Sequence, residues 1–164
     1  TRPHRPDSIA FETARVFDSD DILDIKTLPR SLTVIGGGVI GVEYATIFSA
    51  LDVPVTLIEP RDAILDFVDR ELVDDFIHQL RDRGMTVRLG CAVKGIVVKD
   101  HCVEVTLADS RVVKSDVLLH AAGRSGNVGS LGLDTIGIEI DPRGRIKPLP
   151  PQHAALLGSP GSSL

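Results

Sequence analysis

The stretch from Ser31 to Phe48 reads SLTVIGGGVIGVEYATIF, and four of the six residues from Gly36 to Gly41 are glycine. Glycine loses more backbone freedom on folding than any other residue, so it is unfavourable inside both helices and strands. Glycines this dense mark a place where the chain must turn sharply or let something approach closely. The run before them, SLTVIG (31–36), is apolar almost throughout, as a strand buried on both faces of a parallel sheet should be. After them, from Val39 to about Leu51, the pattern becomes helical, with Ile40, Tyr44, Ile47, Phe48 and Leu51 expected on one buried face.

The glycine spacing is Gly36-x-Gly38-x-x-Gly41, at the junction of strand and helix. In that context each position has its own task. Gly36 makes the tight turn, Gly38 leaves room for a pyrophosphate, and Gly41 lets the helix pack close to the sheet. Gly37 is not required by the spacing and is expected only to relax the turn. The first N–H groups of the helix lack intrahelical acceptors and carry partial positive charge, which suits an anion. A second strand, VPVTLIE (53–59), ends in Glu59, 18 residues beyond Gly41. A carboxylate there can accept both hydroxyls of an adenosine ribose, and its charge opposes a 2′-phosphate. Arg61 leaves the choice of nucleotide open: it could pair with a 2′-phosphate or be a solvated loop arginine. The alternative for the whole loop is tight packing with no ligand.

Further along, Asp69 to Arg83 reads as a second helix, with Leu72, Val73, Phe76, Ile77 and Leu80 as its buried stripe and Gly84 as its C′ residue. MTVRLG (85–90) is a third strand. The order βαβαβ with short loops requires right-handed crossovers and a parallel sheet. The rhythm then changes. AVKGIVVK, HCVEVTLA and RVVKSDVLLHAA are strand-like and separated by short polar turns; Val103, Val105 and Leu107 alternate with polar residues. We expect a Rossmann-type parallel sheet whose last crossover is a three-stranded antiparallel meander, with DVLLHAA (116–122) returning to the sheet. Residues 1–30 are expected to be a connecting segment with a short helix at about 20–26, capped by Asp18 or Ser19. Residues 31–147 are the domain proper. Asp141-Pro142-Arg143-Gly144 signals a tight turn, and residues 148–164 are expected to be disordered.

The net charge of −5 argues against nucleic acid or an anionic membrane as the main partner. Its apolar runs fall short of a transmembrane helix, and the opening TRPHRPDSIAFE has no apolar signal core, so a cytoplasmic protein is expected. The first residue is not Met, which suggests a piece of a longer protein. Cys91 and Cys102 match neither a metal site nor a Cys-x-x-Cys pair and are expected to be buried and inert. The five histidines are scattered, and no metal is assigned.

The stretch VIGGGVIGVEYATIFSALDVPVTLIEPRDAILDFVDREL resembles the pyridine-nucleotide-binding domain of the FAD-dependent pyridine nucleotide-disulfide oxidoreductases. The later block VLLHAAGRSGNVGSLGLDTIGIEIDPRGRI is similar to that family's apolar strand, Gly-Arg-x-x-Asn, Leu-x-Leu, turn and Gly-Arg-Ile. The resemblance covers roughly residues 15–147. Within the family the wording is nearest to the soluble transhydrogenase branch, through DSDDIL, GVIGVEYATIF and RDAILDFVDREL. The lipoamide dehydrogenase branch is next.

The resemblance implies roles residue by residue. Gly36, Gly38, Val39, Ile40 and Gly41 would meet the pyrophosphate, and Glu59 would hold the adenine ribose. Arg61 stays a candidate for a 2′-phosphate. Glu43 would lie at the nicotinamide end, Gly123 and Arg124 would line the far side of that nucleotide, and Asn127 would shape their turn. NAD(P) is the expected cofactor, with FAD bound in the full-length enzyme outside this chain. The expected partners are an FAD domain and a dimerisation domain, whose Ala-x-Gly-Asp motif and redox Cys pair are not in this sequence. The chain alone is expected to bind nucleotide without turnover. Two other readings stay open: a free-standing nucleotide-binding regulatory module, and a glycine loop that takes FAD.

Overall fold

The computed structural model describes residues 1–147; the tail expected to be disordered lies outside them. The chain divides into two units, one spanning Pro3–Gly123 and the other holding Thr1–Arg2 with the residues from Arg124 onward.

The larger unit carries the alternating architecture. Its elements are β1 (Val16–Phe17), β2 (Leu32–Ile35), α1 (Val39–Ala50), β3 (Val55–Ile58), α2 (Arg70–Asp82), β4 (Thr86–Arg88), β5 (Val93–Val98), β6 (Val103–Leu107), β7 (Val112–Ser115) and β8 (Val117–His120). Five strands form one sheet in the order β1-β8-β2-β3-β4, and every pairing is parallel. The meander β5-β6-β7 is antiparallel. The α/β architecture and the meander match the expectation. The two-residue β1 was not foreseen, because two residues are too few to show a period. The short helix at 20–26 is a 3-10 turn, Asp21–Asp24, and its N-cap position is Asp20, not Asp18 or Ser19; the Asp18 carboxylate accepts the N–H groups of Asp20 and Asp21 at 2.8 Å each.

Two apolar layers hold the sheet. One face packs on the helices through Leu32, Val34, Val42, Ala45, Phe48, Leu57, Val73, Ile77 and Leu80. The other packs on the meander through Ile35, Ile58, Leu118, Val103, Val105 and Leu107. Each face of β2, β3 and β8 therefore meets apolar partners, which is why those strands read as unbroken apolar runs.

The buried face of α1 differs from the expected one. Gly41, Val42, Ala45 and Phe48 are buried, whereas Ile47 and Leu51 are half exposed. The helix is apolar nearly all round, so its period does not select a face. The small residues Gly41 and Ala45 do, because they let the axis approach the sheet. Helix α2 is patterned more sharply, and Val73, Ile77 and Leu80 are its buried stripe; Leu72 lies outside it at 66% exposure. Asp69 caps α2 by accepting the Glu71 N–H at 2.9 Å, and Gly84 ends it at φ +87.

At Asp116 the chain passes from the meander into the parallel sheet. Its carboxylate accepts from the Arg15 guanidinium at 2.5 Å and from the Arg30 N–H at 3.1 Å, while its own N–H donates to Ser31 Oγ. The strand ends on either side are thereby tied to one residue. Cys91 and Cys102 are free thiols and only partly buried, not buried as expected, since both lie at the margins of the meander layer.

In the smaller unit, Leu133–Ile136 forms a 3-10 turn. The expected turn at Asp141–Gly144 is present, with the Gly144 N–H donating to the Asp141 carbonyl at 2.8 Å.

Candidate functional site

Parallel order brings the carboxyl ends of β2, β3 and β8 to one edge, where Gly36, Glu59 and Ala121 follow their strands. The loop from β2 into α1 is dictated by contacts there. Gly36 sits at φ +113, and a Cβ on it would lie 2.6 Å from the Ala121 carbonyl oxygen. Only glycine satisfies both constraints. Its N–H donates to the Ile58 carbonyl at 2.9 Å, so Gly36 shapes the turn and has no N–H left for a ligand.

Gly37 corrects the sequence reading. It is as constrained for space as Gly36: a Cβ would lie 2.5 Å from Ile64 Cγ2 and 3.0 Å from Glu59 Oε2. Its N–H donates to Glu59 Oε2 at 2.5 Å, and its carbonyl accepts the Leu65 N–H at 2.9 Å. The spacing rule cannot reveal this, because the demand comes from the loop after β3.

Gly38 is the N-cap of α1, and a Cβ there would meet nothing within 4 Å. The residue faces open space, which suits the approach of a ligand. The first intrahelical bond runs from Val42 N–H to the Gly38 carbonyl at 3.0 Å. The N–H groups of Val39, Ile40 and Gly41 precede that bond and lie at the positive end of the helix. A Cβ on Gly41 would collide with the Gly36 carbonyl oxygen, so Gly41 sets how closely α1 seats on the loop.

Glu59 is buried, at 3% exposure. Its Oε1 accepts from the Arg61 N–H at 3.0 Å and from Arg61 Nε at 2.8 Å. Its Oε2 accepts from the Gly37 N–H at 2.5 Å and from Arg61 Nη2 at 3.2 Å. Burial pushes the carboxyl up, but the hydrogen bonds from Arg61 and Gly37 and the Arg61 charge outweigh it, holding the group below the usual carboxylate range. Arg61 also pairs with Asp66. Hydrogen bonding to Glu59 raises its guanidinium further from neutrality. Arg61 is an exposed loop arginine, as one reading allowed, and it is held by two carboxylates.

Glu43 is exposed on α1, one turn after Val39. Gly123 ends the larger unit at φ +108, and its carbonyl accepts the His4 N–H at 3.1 Å. Arg124 belongs to the smaller unit, where Nε donates to Thr1 Oγ1 at 2.9 Å and Nη2 to the Thr1 carbonyl at 2.8 Å. The larger unit thus gathers Gly36, Gly38, Val39, Ile40, Gly41, Glu59 and Arg61 at one sheet edge. It adds three residues that sequence reasoning did not assign: Gly37, Ile64 and Asp66. The one hint, for Gly37 alone, was the middle glycine of Gly-Gly-Gly, which the spacing leaves unassigned. An open helix start beside an ionised carboxylate suits a ligand with an anionic middle and a hydroxyl-bearing end.

Residues 2–149 match the family described as pyridine nucleotide-disulphide oxidoreductase. The soluble pyridine nucleotide transhydrogenase of Mycobacterium tuberculosis is 44% identical over 146 residues, 89% of this chain and 31% of the relative. That of Pseudomonas aeruginosa is 42% identical over 147 residues, 90% of this chain and 32% of the relative. Among solved structures, the HOCl-induced flavoprotein disulfide reductase RclA from Escherichia coli is similar with a TM-score of 0.79 at 32% identity, over 89% of this chain and 34% of that one. LpdA from Mycobacterium tuberculosis is similar with a TM-score of 0.77 at 26% identity, over 87% of this chain and 31% of that one. The chain spans about a third of the length of the curated relatives it matches.

Proposed function

Because the chain belongs to the pyridine nucleotide-disulphide oxidoreductase family, we propose that residues 31–147 are its NAD(P)(H)-binding domain. One observation carries this reading: the open Gly38 at the start of α1 stands in the same loop system as the buried, ionised Glu59. The N–H groups of Val39, Ile40 and Gly41 would hold the pyrophosphate. Gly36 and Gly37 would keep the turn that presents them. Glu59 would accept the adenine ribose hydroxyls, and Arg61 is the group able to meet a 2′-phosphate. Glu43, Gly123 and Arg124 are assigned to the nicotinamide end on the family resemblance.

In the whole protein the nicotinamide supplies hydride chemistry, exchanged with a flavin held by an FAD domain. This chain's part is to bind and orient the nucleotide, with the FAD domain and a dimerisation domain as partners. The reading extends to a soluble NAD(P) transhydrogenase of the cytoplasm, supported by the transhydrogenase relatives. Among the described residues no helix is long and apolar enough to cross a membrane.

Calorimetric titration of the chain with NADH tests the site. Binding should be present in the native chain and weakened about tenfold or more by Glu59→Ala, since hydrogen bonds to a charged group contribute about 1.5–3 kcal/mol. Unaltered NADH affinity in a folded Glu59→Ala chain would exclude Glu59 from the site.

A further inference from the structure

The larger unit holds a cavity of about 310 Å³ between the parallel sheet and β5, at the lower end of the range for small-molecule sites. Its buried lining is Ile35 at the end of β2 and His120 at the end of β8, 5% and 6% exposed. Its partly buried lining is Ile9, Val93 and Ile96, and Lys94 stands exposed beside them. None of these residues is assigned to the nucleotide.

His120 is the unusual member. Among the described residues, nothing hydrogen-bonds to its buried Nδ1, and a buried polar atom without a partner is costly and uncommon. Phe11 packs edge-on against the ring, with centroids 5.8 Å apart. Burial first, then the nearby His4 charge, hold the imidazole below the usual histidine range, against the opposing His4 main chain and Asp18. It is therefore uncharged at neutral pH. One nitrogen of a neutral imidazole donates and the other accepts. A hydroxyl satisfies Nδ1 in either tautomer, because it can donate and accept.

Lys94 brings charge to the same cavity. β5 is an edge strand of the meander, and its register against β6 shifts between Val93 and Gly95. Lys94 is the extra residue, and such bulges re-aim side chains. Lys99 and Lys114 both pair with Glu104, whereas Lys94 is in no ion pair among the described residues. An anion is expensive to bury against isoleucine and valine, so it belongs at the exposed lysine and the hydroxyl at the buried histidine.

We propose that this cavity binds a small, mostly apolar hydroxycarboxylic acid: the hydroxyl bonds to His120 Nδ1, the apolar body lies against Ile9, Val93 and Ile96, and the carboxylate pairs with Lys94. The site is separate from the nucleotide site and does not depend on it.

The test titrates para-hydroxybenzoate, and separately benzoate, into the isotope-labelled 164-residue chain, followed by NMR of the backbone amides and the His120 imidazole. Para-hydroxybenzoate should shift the signals of Ile9, Ile35, Lys94 and His120 with a Kd of about 1 mM, usual for so small a ligand. Benzoate should bind about two- to tenfold more weakly, the worth of one hydrogen bond. Lys94→Gln should weaken para-hydroxybenzoate about two- to fivefold, the worth of one exposed ion pair. His120→Phe keeps a ring and removes both nitrogens, so it should bind the two acids equally. If His120→Phe does not fold by circular dichroism, the comparison of the two acids on the native chain decides alone. Equal binding of the two acids by the native chain would mean that water serves Nδ1, which overturns the proposal. So would native affinity in Lys94→Gln, or no shift at the cavity residues at millimolar acid. Displacement of para-hydroxybenzoate by NADH would place it in the nucleotide site and overturn the proposal too.

Discussion

Gly37 shows how a single residue can be constrained from outside its own segment. Its missing side chain leaves space that Ile64 and Glu59 occupy, and its N–H helps keep Glu59 ionised in a buried place. Gly37→Ala should therefore act twice, by overpacking the loop and by displacing the carboxylate. We expect a loss of about 1–3 kcal/mol in urea denaturation, together with weaker NADH binding. A chain as stable as the native one would mean that Ile64 gives way freely. Gly38→Ala is the contrast, because a methyl there meets open space; its effect should fall on nucleotide binding and leave stability nearly unchanged.

At the scale of elements, α1 separates apolar character from burial. Phe48 is 5% exposed and Ile47 is 52% exposed, although both are large and apolar. Phe48→Ala should cost about 3–5 kcal/mol through the cavity it leaves. Ile47→Ala should stay within about 0.5 kcal/mol. Thermal or urea denaturation of the two variants checks which face of α1 meets the sheet; equal losses would contradict the packing described. The strands β2, β3 and β8 and helix α2 were legible in the sequence, because long apolar runs and a sharp 3.6-residue period are local patterns. The face of α1 was not legible, since VIGVEYATIFSA is apolar on nearly every side and only the geometry of Gly41 and Ala45 against the sheet selects one.

For the molecule as a whole, the described residues bring the groups proposed for the pyrophosphate and the adenine ribose to one edge of the larger unit, and the flavin chemistry is assigned to a domain outside this chain. The chain mixed with NADH, a second nicotinamide nucleotide and free FAD should show no hydride transfer above the protein-free rate. Transfer at an enzymatic rate, followed by absorbance at the nicotinamide band, would overturn the division of labour proposed between domains. The same scale shows why β1 escaped notice. Val16–Phe17 is a strand only because β8 lies beside it in parallel register, and that neighbour is about a hundred residues away in the chain.

The sequence by itself determined the alternation of strands and helices, the glycine turn from β2 into α1, the acid at the end of β3 and the meander that stands in for a crossover helix. Each of these is written in neighbouring residues, through period, turn chemistry and spacing. Tertiary structure alone decided that Gly37 must lack a side chain, that Arg61 lies on Glu59 with Asp66 beside it, and that Asp116 ties the meander to the parallel sheet through Arg15, Arg30 and Ser31. The Gly37 and Asp116 contacts join segments far apart in the chain, so they exist only once the strands have been brought edge to edge; Glu59, Arg61 and Asp66 are near neighbours in the chain, and the path of their loop decides how the side chains meet.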